Sequence, residues 1–186
     1  MKSQDFRHWA ALEFRRILAT PRPPTIAAIH ESGHETAARH WGCFVQGTFV
    51  DRDGLNGHIR FTVPDSVRDA RGWLVRDPCG VIRRSAAISL AGVAAEQIAA
   101  GEPVADYEQL LRLETCSEVW REYEHGLIER YFCAASAAFR HDHHRGGRWL
   151  EAVLTGLRRQ VIEVLRARWP ALIVRARDLD REAATS

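Results

Sequence analysis

The sequence predicts a mainly α-helical protein with one small β-hairpin, and three observations lead to this class. Apolar residues recur at helical spacing through most of the 186 residues. One run, 43–63, combines aromatic and β-branched residues with Asp-Gly and Asn-Gly pairs, a composition typical of a hairpin. Glycine and proline fall between the helical stretches, where they end or restart helices. We expect a single domain with an N-terminal helix and linker (1–24), a core (25–115) and C-terminal helices (116–186).

The N-terminal part is predicted to contain two helices joined by a proline-rich linker. Residues 5–18 have an amphipathic pattern and are expected to cap the core, although a basic helix of this kind can also bind a membrane surface or a partner. The segment TPRPP, 20–24, interrupts the pattern and forms the linker. Thr25 is suited to be the N-cap of the next helix, which runs to about Trp41, and Gly42 is suited to end it.

The rest of the chain alternates one hairpin with several helices. The hairpin is expected to turn near 53–57, and residues 64–78 are predicted to be irregular. Residues 79–100 are rich in small apolar side chains and are predicted to form the most buried helix, ended by Gly101. A histidine-rich loop and a short polar tail after Trp169 are also expected. The remaining helices are predicted at about 104–114, 117–139 and 148–168, with the loop at 141–147.

Composition argues against several classes of function. The net charge is +2 and 27% of residues are charged, which indicates no general attraction to nucleic acid. No apolar stretch is long enough to span a membrane, and the N-terminus lacks the apolar region of a secretory signal. The cysteines include no C-x-x-C pair, which favours reduced thiols in a cytoplasmic protein over a disulfide framework or a cysteine zinc site. They are Cys43, Cys79, Cys116 and Cys133.

The segment IHESGHETAARHW, 29–41, contains the pattern His-Glu-x-x-His at His30, Glu31 and His34. Residues four apart on a helix lie one turn above each other, so both imidazoles can face one metal ion. Zinc lowers the pKa of its bound water to about 7, and an adjacent glutamate can take the proton as the oxygen attacks a carbonyl. The pattern therefore indicates a zinc hydrolase, with a surface helix that happens to carry a histidine pair as the alternative.

A catalytic zinc ion usually has three protein ligands, and His40 is the first candidate for the third. It matches the metzincin pattern H-E-x-x-H-x-x-G-x-x-H, but Ala37 stands where the glycine of that pattern lets the chain turn back. On an unbroken helix His40 lies about 240° further round than His34 and points away. The only methionine is Met1, so a Met-turn cannot form, and we reject the metzincin interpretation.

Two acidic residues downstream are the remaining candidates for the third ligand. Glu96 lies in LAGVAAEQIAAGE, and an acid in so apolar a helix needs a partner. Asp106 follows in GEPVADYEQLL. Each has an ordinary alternative, since Glu96 can lie at the solvent edge of its helix and Asp106 can be a first-turn aspartate favoured by the helix dipole. The residues alone leave the choice open.

Three blocks in this order, AAIHESGHETAA, LAGVAAEQIAAGE and ADYEQLL, resemble the peptidase domain of the FtsH family of zinc metalloproteases. The resemblance covers about residues 25–115. It implies a helical zinc-protease domain with a small β-element beside the active-site helix. It also implies a Zn²⁺ cofactor, a peptide or protein substrate and hydrolase activity.

The same resemblance implies a role for each residue that matches the motifs. His30, His34 and Asp106 would be the zinc ligands, and Glu31 would be the general base. Glu96 would be a carboxylate that orients a ligand histidine through its other ring nitrogen. A third ligand at Glu96 in place of Asp106 is the alternative, and zinc content of alanine variants would decide between them.

The chain also departs from the family pattern. Glu35 and Leu110 stand where the family usually has alanine. FtsH proteins carry membrane helices and an ATPase module, whereas 29 residues precede His30 here and no G-x-x-x-x-G-K-[ST] phosphate loop is present. We therefore expect an ATP-independent peptidase that acts alone, as a homo-oligomer or with a separate ATPase. The alternative is a catalytically inactive, zinc-stabilised interaction module.

Three further features have more than one interpretation. The segment GHIRFTV, 57–63, can offer a strand edge to an extended peptide or can be a plain structural hairpin. His141, His143 and His144 are interpreted as part of a solvated loop, with a second metal site as the alternative. The large aromatic side chains are expected to be core or interface anchors. They include Trp73, Trp120, Trp149 and Trp169.

Overall fold

The computed structural model describes residues 22–68, 70–76, 78–106 and 143–186. These residues form four helices and two antiparallel sheets of two strands each, which confirms the mainly α class. The helices are α1 (Ile26–His40), α2 (Pro78–Ala100), α3 (His143–Ala167) and α4 (Trp169–Thr185). The strands are β1 (Phe44–Val50) with β2 (Gly57–Thr62), and β3 (Ser66–Arg68) with β4 (Leu74–Arg76).

Helix α1 begins and ends where the sequence predicts. Thr25 is the N-cap, and its Oγ1 accepts a hydrogen bond from the backbone N–H of Ala28 at 3.3 Å. At the other end Gly42 has a φ of +72°, and the N–H of Cys43 donates to the carbonyl of Ala38 at 2.8 Å. This bond across a left-handed residue satisfies one of the last helical carbonyls. Both ends of the helix that carries the His-Glu-x-x-His pattern are thus fixed by local bonds.

Helix α2 packs closely on α1 because small residues meet at the contact. A Cβ added to Gly33 of α1 would lie 2.7 Å from the carbonyl oxygen of Ala91 and 2.8 Å from Cβ of Ala95. Both alanines are fully buried, which agrees with the prediction of a buried small-residue helix. Gly101, with a φ of +71°, ends α2 as predicted. The close approach brings the backbone of α2 to the side chains of α1.

The predicted hairpin is confirmed, with β1 and β2 joined by a turn over residues 51–56. Thr48 pairs with Ile59 and Val50 pairs with Gly57, with an irregularity between Val45 and Gly47. Ile59 is partly buried and packs against the core. The hairpin therefore covers one side of α1 and contributes to the walls around it.

The segment predicted to be irregular, 64–78, contains the second sheet. Ser66 pairs with Arg76 and Arg68 with Leu74, so each strand has only three residues. Alternation over three residues is too short to stand out from a loop in the sequence. The side chains at the tip are open to solvent, including Trp73, which is 71% exposed and is not a core anchor.

Two predicted helix boundaries were also wrong. Residues 102–106 are not helical, although a helix was predicted from 104, and its remaining part lies outside the described residues. Helix α3 begins at His143, so part of the predicted loop 141–147 is helical. The loop prediction relied on Gly146 and Gly147, but a glycine within a helix costs only about 1 kcal/mol relative to alanine. The predicted helices 5–18 and 117–139 lie outside the described residues, as do His141 and Trp120.

The C-terminal residues form helix α4 rather than the predicted polar tail. Pro170 lies in its first turn, where the missing N–H is not needed for helix hydrogen bonding. The sequence analysis predicted a polar tail here because many of these residues are charged, and their charges conceal the apolar stripe. That stripe is buried at helical spacing and consists of Leu172, Ala176, Leu179 and Ala183.

Helix α4 holds α1 at two points. Asp180 accepts hydrogen bonds from the backbone N–H of Thr25 at 2.8 Å and from its hydroxyl at 2.6 Å. Arg175 donates from Nε to Glu35 at 3.0 Å. One anchor precedes the two histidines of α1 and the other follows them. The C-terminal helix therefore fixes the segment that carries the predicted site.

Two further findings concern the described helices and Cys43. Among the helices that the structure describes, none combines the length and apolar character needed to cross a membrane. Cys43 is buried with a free thiol. Burial raises the pKa of this thiol, and the nearby positive charge of Arg84 opposes the shift. This cysteine is thus kept protonated and unreactive.

Candidate metal centre

His30 and His34 direct their imidazoles at the same point. Their Nε2 atoms are 2.9 Å apart, and the ring centroids are 4.6 Å apart with an interplanar angle of 81°. This arrangement follows from their spacing of four residues, which places them one turn apart on the same face of α1. The structure therefore brings together the two predicted histidine ligands.

The other ring nitrogen of each histidine contacts an acceptor on α2. Nδ1 of His30 lies 2.5 Å from a carboxylate oxygen of Glu96, and Nδ1 of His34 lies 2.7 Å from the carbonyl oxygen of Ile88. A carbonyl oxygen can only accept, so Nδ1 of His34 carries the hydrogen and donates it. In the neutral ring this places the lone pair on Nε2.

An ionised Glu96 carboxylate can only accept a hydrogen bond, so Nδ1 of His30 would then carry the hydrogen as well. The lone pair of His30 would also be on Nε2. Two Nε2 lone pairs at 2.9 Å would then repel each other. A proton or a metal cation between them removes the repulsion. The hydrogen-bonding pattern thus prepares both rings as metal ligands, in the way that outer partners orient histidines in zinc sites.

Gly92 of α2 allows both imidazoles to pack closely against the backbone of α2. A Cβ at this position would lie 2.5 Å from Nε2 of His34 and 2.6 Å from Nε2 of His30. Any side chain here would occupy the space next to the two nitrogen atoms. Two neutral imidazoles are also a donor set that Zn²⁺ prefers. For these two ligands, the residues present fit a zinc ion.

Glu31 lies beside the histidines and is held by the hairpin. It is only 5% exposed, and it lines the same cavity as both imidazoles. A Cβ on Gly57 of β2 would lie 2.5 Å from Cγ of Glu31 and 3.1 Å from its Cδ. The backbone of β2 therefore packs directly on this side chain. Glu31 therefore shares one cavity with the two imidazoles, and its predicted role as general base stays a prediction.

Glu96 has the contact that its predicted orienting role requires. Its Oε1 atom bonds the outer nitrogen of His30, on the side of the ring away from Nε2. The side chain is 33% exposed, so it is also near the solvent edge of α2. This contact supports an orienting carboxylate and gives no support to Glu96 as the third ligand.

Asp106 is exposed and is not among the residues that line the cavity. Within the described residues, no three His, Cys, Asp or Glu side chains are grouped so that they could hold a metal ion. The preceding residue is fixed, because the N–H of Ala105 donates to Gln97 at 2.8 Å and Arg158 donates to the carbonyl of Ala105. The next residues, 107–142, lie outside the described part. Asp106 as the third ligand stays a prediction.

His40 takes no part in this site. It is exposed near the end of α1, and its ring meets the ring of Trp41 edge-on at 4.8 Å between centroids. It does not line the cavity that contains His30 and His34. Its position agrees with the rejection of the metzincin pattern.

The histidines and Glu31 open into a cavity of about 920 Å³ between α1, α2 and the hairpin. Its volume is in the range of ligand-binding pockets. Three carboxylates line it, and no lysine or arginine does so among the residues that the structure describes. The carboxylates belong to Glu31, Glu96 and Glu102. Most of the remaining wall is apolar and consists of Ile26, Leu55, Ile59, Phe61, Ile88 and Val93.

Strand β2 forms one wall of this cavity. It pairs with β1 on one side, and no described strand pairs with its other side. The hairpin therefore lies next to the histidines, as the strand-edge interpretation of residues 57–63 requires. That interpretation stays a prediction.

Glu35, which departs from the family pattern, has a structural role that the sequence analysis missed. It is buried and accepts hydrogen bonds from Thr48 at 2.6 Å, Arg39 at 2.9 Å and Arg175 at 3.0 Å. Burial would raise the pKa of this carboxyl, but the three donors and the charge of Arg175 outweigh burial and lower it. Glu35 thus links α1 to β1 and α4. The Glu35–Arg39 spacing was the one signal of this role in the sequence.

Comparisons of the chain with family models, with curated proteins and with solved structures give no match. The likeness to FtsH peptidase domains therefore depends on the three sequence blocks alone.

Proposed function

We propose that this chain is a zinc metalloendopeptidase of the HExxH type. The observation that supports this most strongly is the convergence of Nε2 of His30 and Nε2 of His34 at 2.9 Å, with an acceptor at each Nδ1. His30, His34 and Asp106 would hold Zn²⁺. When bound, the ion supplies Lewis-acid chemistry, activating a water molecule and polarising the scissile carbonyl.

Glu31 is the general base of this proposal. Its carboxylate accepts a proton from the attacking water as the water oxygen bonds to the carbonyl carbon of the peptide. The same carboxyl then donates that proton to the leaving nitrogen as the C–N bond breaks. Contact with Gly57 holds the side chain, and burial keeps it away from bulk solvent.

Helix α2 keeps the two histidines in the required tautomer. Glu96 accepts from Nδ1 of His30 and the Ile88 carbonyl accepts from Nδ1 of His34. Both Nε2 atoms therefore lie on the side of the rings away from these acceptors, where they would bind the zinc ion. Helix α2 thus supplies the hydrogen-bond acceptors for the histidines of α1, and its glycine at position 92 lets their rings pack closely against it.

The substitution Glu31→Gln tests this function. We expect peptide cleavage to fall by at least about 100-fold, since general-base catalysis contributes this much or more. Zinc content and thermal unfolding should match the wild type, because the amide keeps the size of the side chain. Glu151→Gln, an exposed change on α3, is the control and should cleave like the wild type.

The cleavage assay also distinguishes the peptidase from the alternative function, a zinc-stabilised interaction module. If the wild type binds zinc but cleaves no peptide or unfolded protein, the peptidase proposal is wrong. The catalytically inactive, zinc-stabilised module is then the supported function.

A further inference from the structure

Two large apolar side chains lie exposed at the mouth of the cavity. Leu55, in the hairpin turn, is 76% exposed, and Ile26, in the first turn of α1, is 57% exposed. Both line the cavity that contains the histidines. Exposed side chains of this size at the opening of a pocket are a common feature of ligand-binding surfaces.

The turn that carries Leu55 is ordered and rests on α1. The N–H of Leu55 donates to Asp53 at 3.0 Å, and the N–H of Gly54 donates to the carbonyl of Asp51 at 2.8 Å. A Cβ on Gly54 would lie 2.6 Å from Cγ2 of Thr25. Since Leu55 follows Gly54 and Ile26 follows Thr25, this contact places the two cavity-lining residues in neighbouring parts of the wall.

The charges of the cavity limit what can bind there. Glu31, Glu96 and Glu102 line it, and the described residues contribute no lysine or arginine to its walls. Three carboxylates outweigh the two positive charges of a bound Zn²⁺, so a ligand with an acidic group would still meet net negative charge in a partly enclosed space. An apolar or neutral segment meets no such penalty and covers the exposed leucine and isoleucine.

We propose that Leu55 and Ile26 form an apolar rim that selects the substrate. The rim takes a large apolar side chain of an extended peptide, and peptides with an acidic residue at that position are rejected. This inference rests on the proposed peptidase function and names its substrate class. Leu55 is the specificity-determining residue.

Peptides that differ at one position test the rim. In a neutral peptide of alanine, glycine and serine, leucine or aspartate is placed at each position in turn, and kcat/KM is measured with the zinc-loaded full chain. We expect leucine to be preferred over aspartate by at least about 10-fold at one position, the range expected for a hydrophobic pocket. In Leu55→Asp, that preference should fall by about 10-fold or more, with zinc content unchanged.

Leu74→Asp is the matched control. Leu74 is 69% exposed, similar to Leu55, but lies on β4 and does not line the cavity. It should keep the wild-type preference. The proposed apolar rim would be wrong if Leu55→Asp and Leu74→Asp showed the same preference between leucine and aspartate peptides. It would also be wrong if the wild type did not prefer leucine peptides.

A binding measurement separates the rim from the peptidase function. The same peptides, labelled with a fluorophore, are titrated with Glu31→Gln and with the double variant Glu31→Gln, Leu55→Asp. The wild type could cleave no peptide while Glu31→Gln binds leucine peptides and the added Leu55→Asp lowers their affinity by about 10-fold. In that case only the peptidase function is wrong. If the wild type cleaves peptides but Leu55→Asp changes neither their affinity nor their kcat/KM, only the proposed apolar rim is wrong.

Discussion

Gly92 of α2 lies so close to His34 of α1 that a Cβ at the glycine would be 2.5 Å from Nε2 of the histidine. The same Cβ would be 2.6 Å from Nε2 of His30. A helix interior normally favours alanine over glycine by roughly 0.5–1 kcal/mol, so glycine has a cost here. The space it leaves is next to the two atoms that would bind zinc.

The first prediction concerns this space. Gly92→Ala should abolish zinc binding, because its methyl group fills the position beside both Nε2 atoms. The measurement is the zinc content of purified protein together with its zinc affinity by competition with a chelator. We expect a loss of affinity of at least about 100-fold, as for other changes that disrupt the surroundings of a metal ligand.

Gly156→Ala on α3 is the control for the change in helix propensity. A Cβ at Gly156 would meet no atom within 4 Å. This variant should bind zinc normally and gain about 0.5–1 kcal/mol in free energy of unfolding. Normal zinc binding by Gly92→Ala would show that the metal lies elsewhere.

The second prediction concerns the third ligand. Asp106→Ala should reduce zinc affinity more than Glu96→Ala, because it removes a ligand rather than the group that orients one. For Glu96→Ala we expect a loss of about 10- to 100-fold, the range for an outer hydrogen-bond partner. Zinc analysis of both variants decides the assignment. A loss of zinc confined to Glu96→Ala would contradict it.

The third prediction concerns the contact between the hairpin and the general base. A Cβ on Gly57 would lie 2.5 Å from Cγ of Glu31 and 2.8 Å from the carbonyl oxygen of Phe49. Gly57→Ala should therefore displace the carboxylate and lower kcat by about 10-fold or more, while zinc stays bound.

Gly47→Ala in the same hairpin serves as its control. There the added methyl would meet only the half-exposed ring of Phe49, at 2.8 Å, and that ring can move aside. Peptidase activity should persist. If both glycine variants keep full activity, the hairpin does not position Glu31.

The fourth prediction concerns Glu35 and pH. Its folded-state pKa lies below the ordinary value of 4.5, so the unfolded chain binds a proton more readily than the native one. The stability from this carboxylate is complete above that ordinary value and is lost as the pH falls towards the lowered pKa.

Glu35→Gln should cost about 1–3 kcal/mol in free energy of unfolding at pH 7, since it removes the buried charge that Arg175 and Arg39 bind, while Arg175 keeps its ion pair with Glu182. The difference between wild type and variant should shrink as the pH falls below 4.5. Denaturant unfolding of both proteins in chelator measures this without a contribution from metal. A difference that stays constant with pH would show that the ion pair is not responsible.

Local signals in the sequence predicted the part of the fold that surrounds the site. The cap residue Thr25, the helix-ending Gly42 and Gly101 and the turn of the first hairpin act over a few residues, and all were located correctly. Helix α4 was missed because its many charged residues conceal its apolar stripe. Its place in the core depends on contacts with α1 that no local pattern records.

The site was predictable to a similar extent. The spacing of His30 and His34 is sufficient to bring their rings together on one helix. The contact between His30 and Glu96 joins residues 66 positions apart, and only the oddness of an acid in an apolar helix and the family resemblance suggested it. Gly92 lies in a block that carries the family resemblance, but its contact with the histidines was not predicted, and the role of Gly57 has no signal in the sequence. Both roles depend on what lies across from the glycine in the folded protein.

The central claim is that His30 and His34 bind one zinc ion together. An anomalous difference map at the zinc absorption edge, from a crystal of the full chain grown with zinc, tests it most directly. We expect a peak about 2.0–2.1 Å from Nε2 of each histidine. No peak within bonding distance of both rings, in a crystal whose zinc binds other residues, would contradict it.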